Sequence, residues 1–160
     1  MNNSGNRYTN LKYLNEISNG DKNIIKELIT IFLEQIEEFS QGFKINFDKK
    51  RWKELAGLAH KAKSSVISMG MEELGNNDLK NIELLAKKER IKEIEKKGSL
   101  SKAEIRELQI NYDSIEGCPY EKKKWLKEVD SIEQIKNIIN KFGSIINKAK
   151  TELKEDIENL

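Results

Sequence analysis

The only histidine of the chain, His60, lies in the stretch LAGLAHKAKSSVISMG, residues 55 to 70. On a helix the residues three and four positions away surround a given side chain. Around His60 these are Ala56, Gly57, Lys63 and Ser64. The apolar stripe of the same segment, Trp52, Leu55, Leu58, Ala59, Ala62, Val66 and Met69, centres roughly 150° away at the helical repeat of about 3.6 residues. The imidazole is therefore expected on the solvent face. A glycine inside a helix costs about 0.8–1 kcal/mol relative to alanine, and no cap or kink in the local pattern requires Gly57. With Ala56, Gly57 and Ser64 beside it, the ring stands clear for another protein to reach. Lys63 can swing its ammonium toward an anion carried on the ring. An exposed ring nitrogen, a nearby cation and room for a partner suit a nucleophilic or phosphate-accepting histidine. A silent surface histidine, with Lys63 placed by chance in a lysine-rich chain, fits the same spacing.

The elements that must hold this residue are helical. Leu11, Leu14 and Ile17 mark a short helix that Gly20 can end, since glycine accepts the left-handed conformation past a helix terminus. Asp21 is placed as the next N-cap. Ile24, Ile25, Leu28, Ile29, Phe32, Leu33, Ile36, Phe39 and Phe43 recur at helical spacing as one broad stripe, followed by a break near 46 to 48. The His60 helix comes next, with Gly70 placed to end it. A third long helix runs from about Glu72 through Leu74, Leu79, Ile82, Leu85 and Ala86 to Ile91 and Ile94, its first turns weakened by the GNN at 75 to 77. Residues 98 to 126 hold the only proline and the only cysteine, and read as an extended connection. Within it, Ser101 and Glu104 form a capping box for a short helix of about two turns. The Lys-rich EKKKWLK at 121 to 127 reads as the solvated approach to the last helix, with Trp125 as an anchor. The last helix, about 128 to 158, carries Ile132, Ile135, Ile138, Ile139, Phe142, Ile145, Ile146, Ala149, Leu153 and Ile157. The expected fold is all-α: an antiparallel up-and-down four-helix bundle with a short N-terminal helix and a longer connection before the last helix. One domain is expected over 1–160, with core helices at about 8–97 and 128–158.

Composition limits the function classes. The chain has 160 residues, 35% of them charged, with 29 basic against 27 acidic side chains for a net charge of +2. The two signs alternate, so no block of charge points to nucleic acid or an anionic membrane. No apolar run approaches the roughly 20 residues of a membrane-spanning helix. The N-terminal segment lacks the pattern of a signal peptide, so a cytoplasmic protein is expected. One cysteine excludes an internal disulfide, and one histidine with one cysteine offers no zinc cluster. No metal site is expected. There is no Gly-rich phosphate loop or dinucleotide fingerprint, and carboxylates are expected on solvated faces rather than inside the apolar stripes.

The run AHKAKSSVISMGMEEL resembles the histidine-containing phosphotransfer (HPt) domain family. Its motif places a phospho-accepting His three residues before a Lys, a small residue next, a Gly ten after the His and a Leu four beyond. These fall on His60, Lys63, Ser64, Gly70 and Leu74. The upstream LKYLNEISNGDKNIIKELITIFLEQI is similar to the family's usual lead-in. The resemblance covers about residues 8 to 95, and the last helix by position and pattern. Ser64 stands where many members have glycine, and the 98 to 126 segment is longer than usual.

The resemblance implies a phosphorelay intermediate of two-component signal transduction, a phosphoryl carrier rather than an enzyme. His60 would take a phosphoryl group from a receiver-domain aspartate, that of a hybrid kinase for instance, and pass it to the receiver of a response regulator. Lys63 would offset the phosphoryl charge. No cofactor is implied on this chain, because the Mg²⁺ belongs to the receiver. The protein would be a monomer. Gly57 and Ser64, with Ala56, would give the partner access. Ile67, near the same face, is either a docking contact or a residue at the edge of the core. A helical adaptor without phosphate chemistry is the alternative from another class. The dimerisation helices of a sensor kinase fit less well, since Lys61 follows the histidine and the only proline is at 119.

Overall fold

A computed structural model of the chain describes residues 7–160; the first six residues of the expected domain lie outside it. The described residues form helices and turns, with no strand among them. Helix α1 (Lys12–Ser18) stops where Asn19 and Gly20 both take positive φ, 52° and 75°. Helix α2 (Lys22–Asp48) begins as expected at Asp21, whose Oδ1 accepts from the backbone N–H of Asn23 and Ile24 at 2.9 and 3.2 Å. It continues through the expected break and ends where Lys50 turns to φ 54°. Its buried face is Ile25, Ile29, Phe32, Ile36, Phe39 and Phe43, whereas Ile24 lies outside the core and is exposed.

Helix α3 (Trp52–Ser68) carries His60. It ends at Gly70, which is required twice. Its φ of 88° is open to glycine alone at low cost, and a Cβ there would stand 2.7 Å from the backbone nitrogen of Asn10. That approach lets Asn10 N–H donate to the Met69 carbonyl at 3.0 Å and seats the N-terminal segment against the end of α3. The same segment is fixed to the far end of the chain, where Thr9 donates from N and Oγ1 to Glu152 Oε1 at 2.8 and 2.7 Å.

The third long helix begins at Glu72 but widens over Leu74–Leu79 into a π-helical turn before α4 (Lys80–Glu95). A π turn holds one extra residue, so the helix beyond it is rotated by about 100° relative to a continuous α-helix. Gly75 sits in this turn because α3 lies against it: a Cβ would meet Ile67 Cγ1 at 2.6 Å and the Lys63 carbonyl at 3.0 Å. After the turn, Asn81 through Ala86 are all buried, since α4 has neighbours on several sides. It packs on α3, α7, α5 and α6.

The 98 to 126 segment is not an extended connection. It contains helix α5 (Lys102–Glu116) and most of α6 (Tyr120–Glu128). The Ser101–Glu104 capping box is present, but α5 runs about twice the expected length, to Gly117. The Lys-rich stretch is a helix of its own, α6, with Leu126 in the core and Lys122 over the Trp125 ring at 4.9 Å. Lys88 Nζ donates to the carbonyls of Leu126 and Val129 at the C-terminal end of α6, and burial pushes its pKa down. The last helix, α7 (Ser131–Asn159), therefore starts later than expected, at an Asp130 cap whose side chain accepts from Glu133 N–H at 3.2 Å.

The long helices share one core. Helix α2 packs against α3 and α7, and α4 also packs against α3 and α7. The result is a helical bundle, with Phe43 and Phe142 edge to face at 5.0 Å between α2 and α7. No helix among the described residues is long and apolar enough to cross a membrane.

Candidate functional site

His60 points away from the core, and its side chain is 70% exposed. Its ring is nevertheless fixed. Nδ1 lies 3.0 and 3.3 Å from the two carboxylate oxygens of Glu83 on α4, and the Glu83 side chain is only 3% exposed. Lys80, one turn earlier on α4, reaches to 3.7 Å from the same carboxylate. A carboxylate accepts but does not donate, so in the neutral imidazole it holds the proton at Nδ1 and leaves the lone pair at Nε2. A buried acceptor thus sets the tautomer and orientation of an otherwise solvent-facing ring.

The expected neighbours are distributed unevenly around it. Gly57 is exposed, and a Cβ added there would meet nothing within 4 Å. Internal packing therefore does not require this glycine, and the space beside the ring is open. Ser64 is exposed and Lys63 half-buried, with no carboxylate paired to Lys63 among the described residues. Ala56 does not stand beside the ring as surface; it is 7% exposed and belongs to the core cluster. Ile67 is half-buried and lies over Gly75, as a residue at the edge of the core would. Leu74 is a core residue at the start of the π turn, and Gly70 ends α3.

Glu83 is the partner of His60 that sequence reasoning missed. The carboxylates do not all lie on solvated faces: Glu83 and Asp78 are both buried. Asp78 Oδ1 accepts from Lys141 at 3.0 Å, and Asn81 from Lys122 at 2.7 Å, so both reach partners on neighbouring helices, while Asp78 Oδ2 is buried without one. The available signal was an acid between Ile82 and Leu84 in the apolar run NIELLA. What it bonds to lies 23 residues away.

Beside His60 a groove of about 570 Å³ runs between α3, α4 and α5. Trp52, Ala56 and Gly57 line one side, Ala103, Arg106 and Ile110 the other. Helix α5 is attached to α4 largely by polar bonds. Arg90 grips both oxygens of Glu107 at 2.6 and 3.1 Å, Lys87 donates to Ser114 at 3.1 Å, and Tyr112 to Glu95 at 2.9 Å. The Arg90 guanidinium holds the Glu107 carboxyl below the usual range, and Glu107 in turn raises Arg90. At the start of α5, Lys97 and the Ser101 backbone N–H hold Glu104 at about 2. Among the described residues no group of three or more His, Cys, Asp or Glu side chains is placed to hold a metal ion.

Compared with known protein families, curated proteins and solved structures, the chain matches none.

Proposed function

We propose that this protein is a phosphorelay intermediate that accepts a phosphoryl group on His60 Nε2 from the aspartyl phosphate of one receiver domain and passes it to the aspartate of another. The observation that carries the reading is the His60–Glu83 pair: an exposed imidazole whose Nδ1 is held by a buried carboxylate. In the forward step the Nε2 lone pair attacks phosphorus, an N–P bond forms and the P–O bond to the aspartate breaks. The aspartate leaves as a free carboxylate, and the proton stays at Nδ1. The phosphorylated ring then carries positive charge that Glu83 stabilises. A cationic ring is a good leaving group, so the next receiver can take the phosphoryl on by the reverse chemistry. Lys63 lies one helical turn along the same face and offsets the phosphoryl charge. The open space at Gly57 and Ser64 admits the partner.

On this reading α2, α3, α4 and α7 are the antiparallel up-and-down four-helix bundle of a phosphotransfer domain, whose contribution is to hold His60 rigidly. The chain itself is a carrier without autonomous catalysis. It acts as a cytoplasmic monomer, and the Mg²⁺ for transfer resides on the receiver. The test is to incubate the protein with a phosphorylated receiver domain and, separately, with phosphoramidate, and to measure intact mass. One acid-labile phosphoryl group that is absent from His60→Gln and passes to a fresh receiver is the expected result. A folded protein that no receiver and no small donor modifies would instead be a helical adaptor.

A further inference from the structure

The groove beside His60 has features that phosphoryl transfer does not use. At its floor lies Asn111, the one buried residue of α5, at 6% exposure. Its side-chain amide faces the groove and bonds to no protein group among the described residues. The residue is largely buried, but its amide stays open to the groove, and it offers two donors and an acceptor to whatever enters. At the rim, Lys53 and Arg106 have no carboxylate partner among the described residues, whereas the groove's acids are engaged, Glu83 by His60 and Glu107 by Arg90. Overall the groove carries four cations against two carboxylates. Its lining also includes apolar side chains from both helices, Trp52 on α3 and Ile110 on α5. The volume of about 570 Å³ suits a small organic molecule rather than a single ion.

We propose that the groove between α3, α4 and α5 binds a planar, hydrogen-bonding ring that carries an anionic group, the chemistry of a nucleoside monophosphate. The ring lies against these apolar side chains, where Trp52 offers an aromatic surface. Its polar edge pairs with the free amide of Asn111. The phosphate reaches Lys53 and Arg106, and a guanidinium suits phosphate because it can donate two parallel hydrogen bonds. A ligand seated there covers one approach to His60, so it would compete with a docking partner. The site does not depend on the phosphotransfer reading, because binding is measured without phosphorylation.

Trp125→Phe leaves Trp52 as the only tryptophan, so its fluorescence reports the groove. This variant is titrated with AMP and GMP, and with adenosine, guanosine and inorganic phosphate as controls. A saturable change with at least one nucleotide is expected, at least tenfold weaker in Asn111→Ala and in Lys53→Gln/Arg106→Gln, and weakened by salt. Lys53 and Arg106 are exposed, so their double variant keeps the test valid if Asn111→Ala does not fold. No saturable change at millimolar nucleotide overturns the proposal. So does inorganic phosphate binding as well as the nucleotides, which would leave no role for the ring, or nucleosides binding equally well, which would leave none for the cations. Binding that survives both sets of substitutions places the ligand elsewhere and also refutes it.

Discussion

Replacing Glu83 by glutamine keeps the shape of the buried side chain and removes its charge, which isolates what the carboxylate does for His60. As the ring takes on positive charge during phosphorylation, a full negative charge 3.0 Å from Nδ1 stabilises it. Across that distance the Coulomb attraction in a water-like medium is about 1.4 kcal/mol, equivalent to about tenfold in rate. The imidazole is largely exposed, which favours the water-like value; burial of the carboxylate strengthens the attraction and the partial charge of the transition state weakens it, so about tenfold is the expected effect. Glutamine can also turn its amide nitrogen toward the ring and donate to Nδ1, which would move the proton to Nε2 and block the nucleophile. Two measurements separate the charge from the tautomer. Long-range proton–nitrogen NMR spectra of the wild type should show the proton of neutral His60 on Nδ1, and in Glu83→Gln a mixture or the reverse. Phosphorylation by phosphoramidate should slow about tenfold in the variant, while far-UV circular dichroism is unchanged. A wild-type ring protonated mainly at Nε2, or an unchanged rate in a folded variant, would show that the Glu83 contact has no part in the chemistry.

Other substitutions test the packing around the site. Gly57→Ala should raise stability in urea by about 0.8–1 kcal/mol, the ordinary helix preference, because the added Cβ meets nothing; Gly57→Leu should fold equally well yet lose transfer to and from a receiver. Gly75→Ala, the same exchange in the π turn, should destabilise by about 1–3 kcal/mol through overpacking, since its Cβ would press on Ile67 at 2.6 Å, and a gain in the urea midpoint would refute the close approach. Phe43→Ala removes a fully buried ring stacked edge to face on Phe142 and should cost about 3–5 kcal/mol in the same assay. The Arg90–Glu107 pair makes α5 sensitive to acid: the Glu107 carboxyl is held below its ordinary value of 4.5. Its stabilisation is thus complete above that value and lost as pH falls through the lower folded-state value. The stability gap between wild type and Glu107→Gln should close along that descent, and a gap independent of pH would show that the pair does not couple to folding.

Much of the scaffold was legible because its determinants are local. The caps at Asp21 and Ser101, the stop at Gly70 and the apolar stripes of α2 and α7 are set by residues three or four positions apart, so spacing alone reveals them. The solvent-facing position of His60 belongs to the same class, being the opposite side of the Trp52–Met69 stripe. Where spacing met weak signals it failed: α5 buries almost nothing but Asn111 and is attached through Glu107, Ser114 and Tyr112 to partners on α4, so no apolar stripe announced it, and the polar residues of α6 concealed a helix behind a charged run. The sequence by itself thus determined the long helices, the caps and stop at Asp21, Ser101 and Gly70, and the exposure of one imidazole. Only the tertiary structure decided what holds that imidazole. The packing of α4 against α3 buries Glu83 beneath His60, the π turn at Gly75 accommodates Ile67, and the approach of α5 forms the groove; each depends on residues distant in the chain, whose meeting no local repeat encodes.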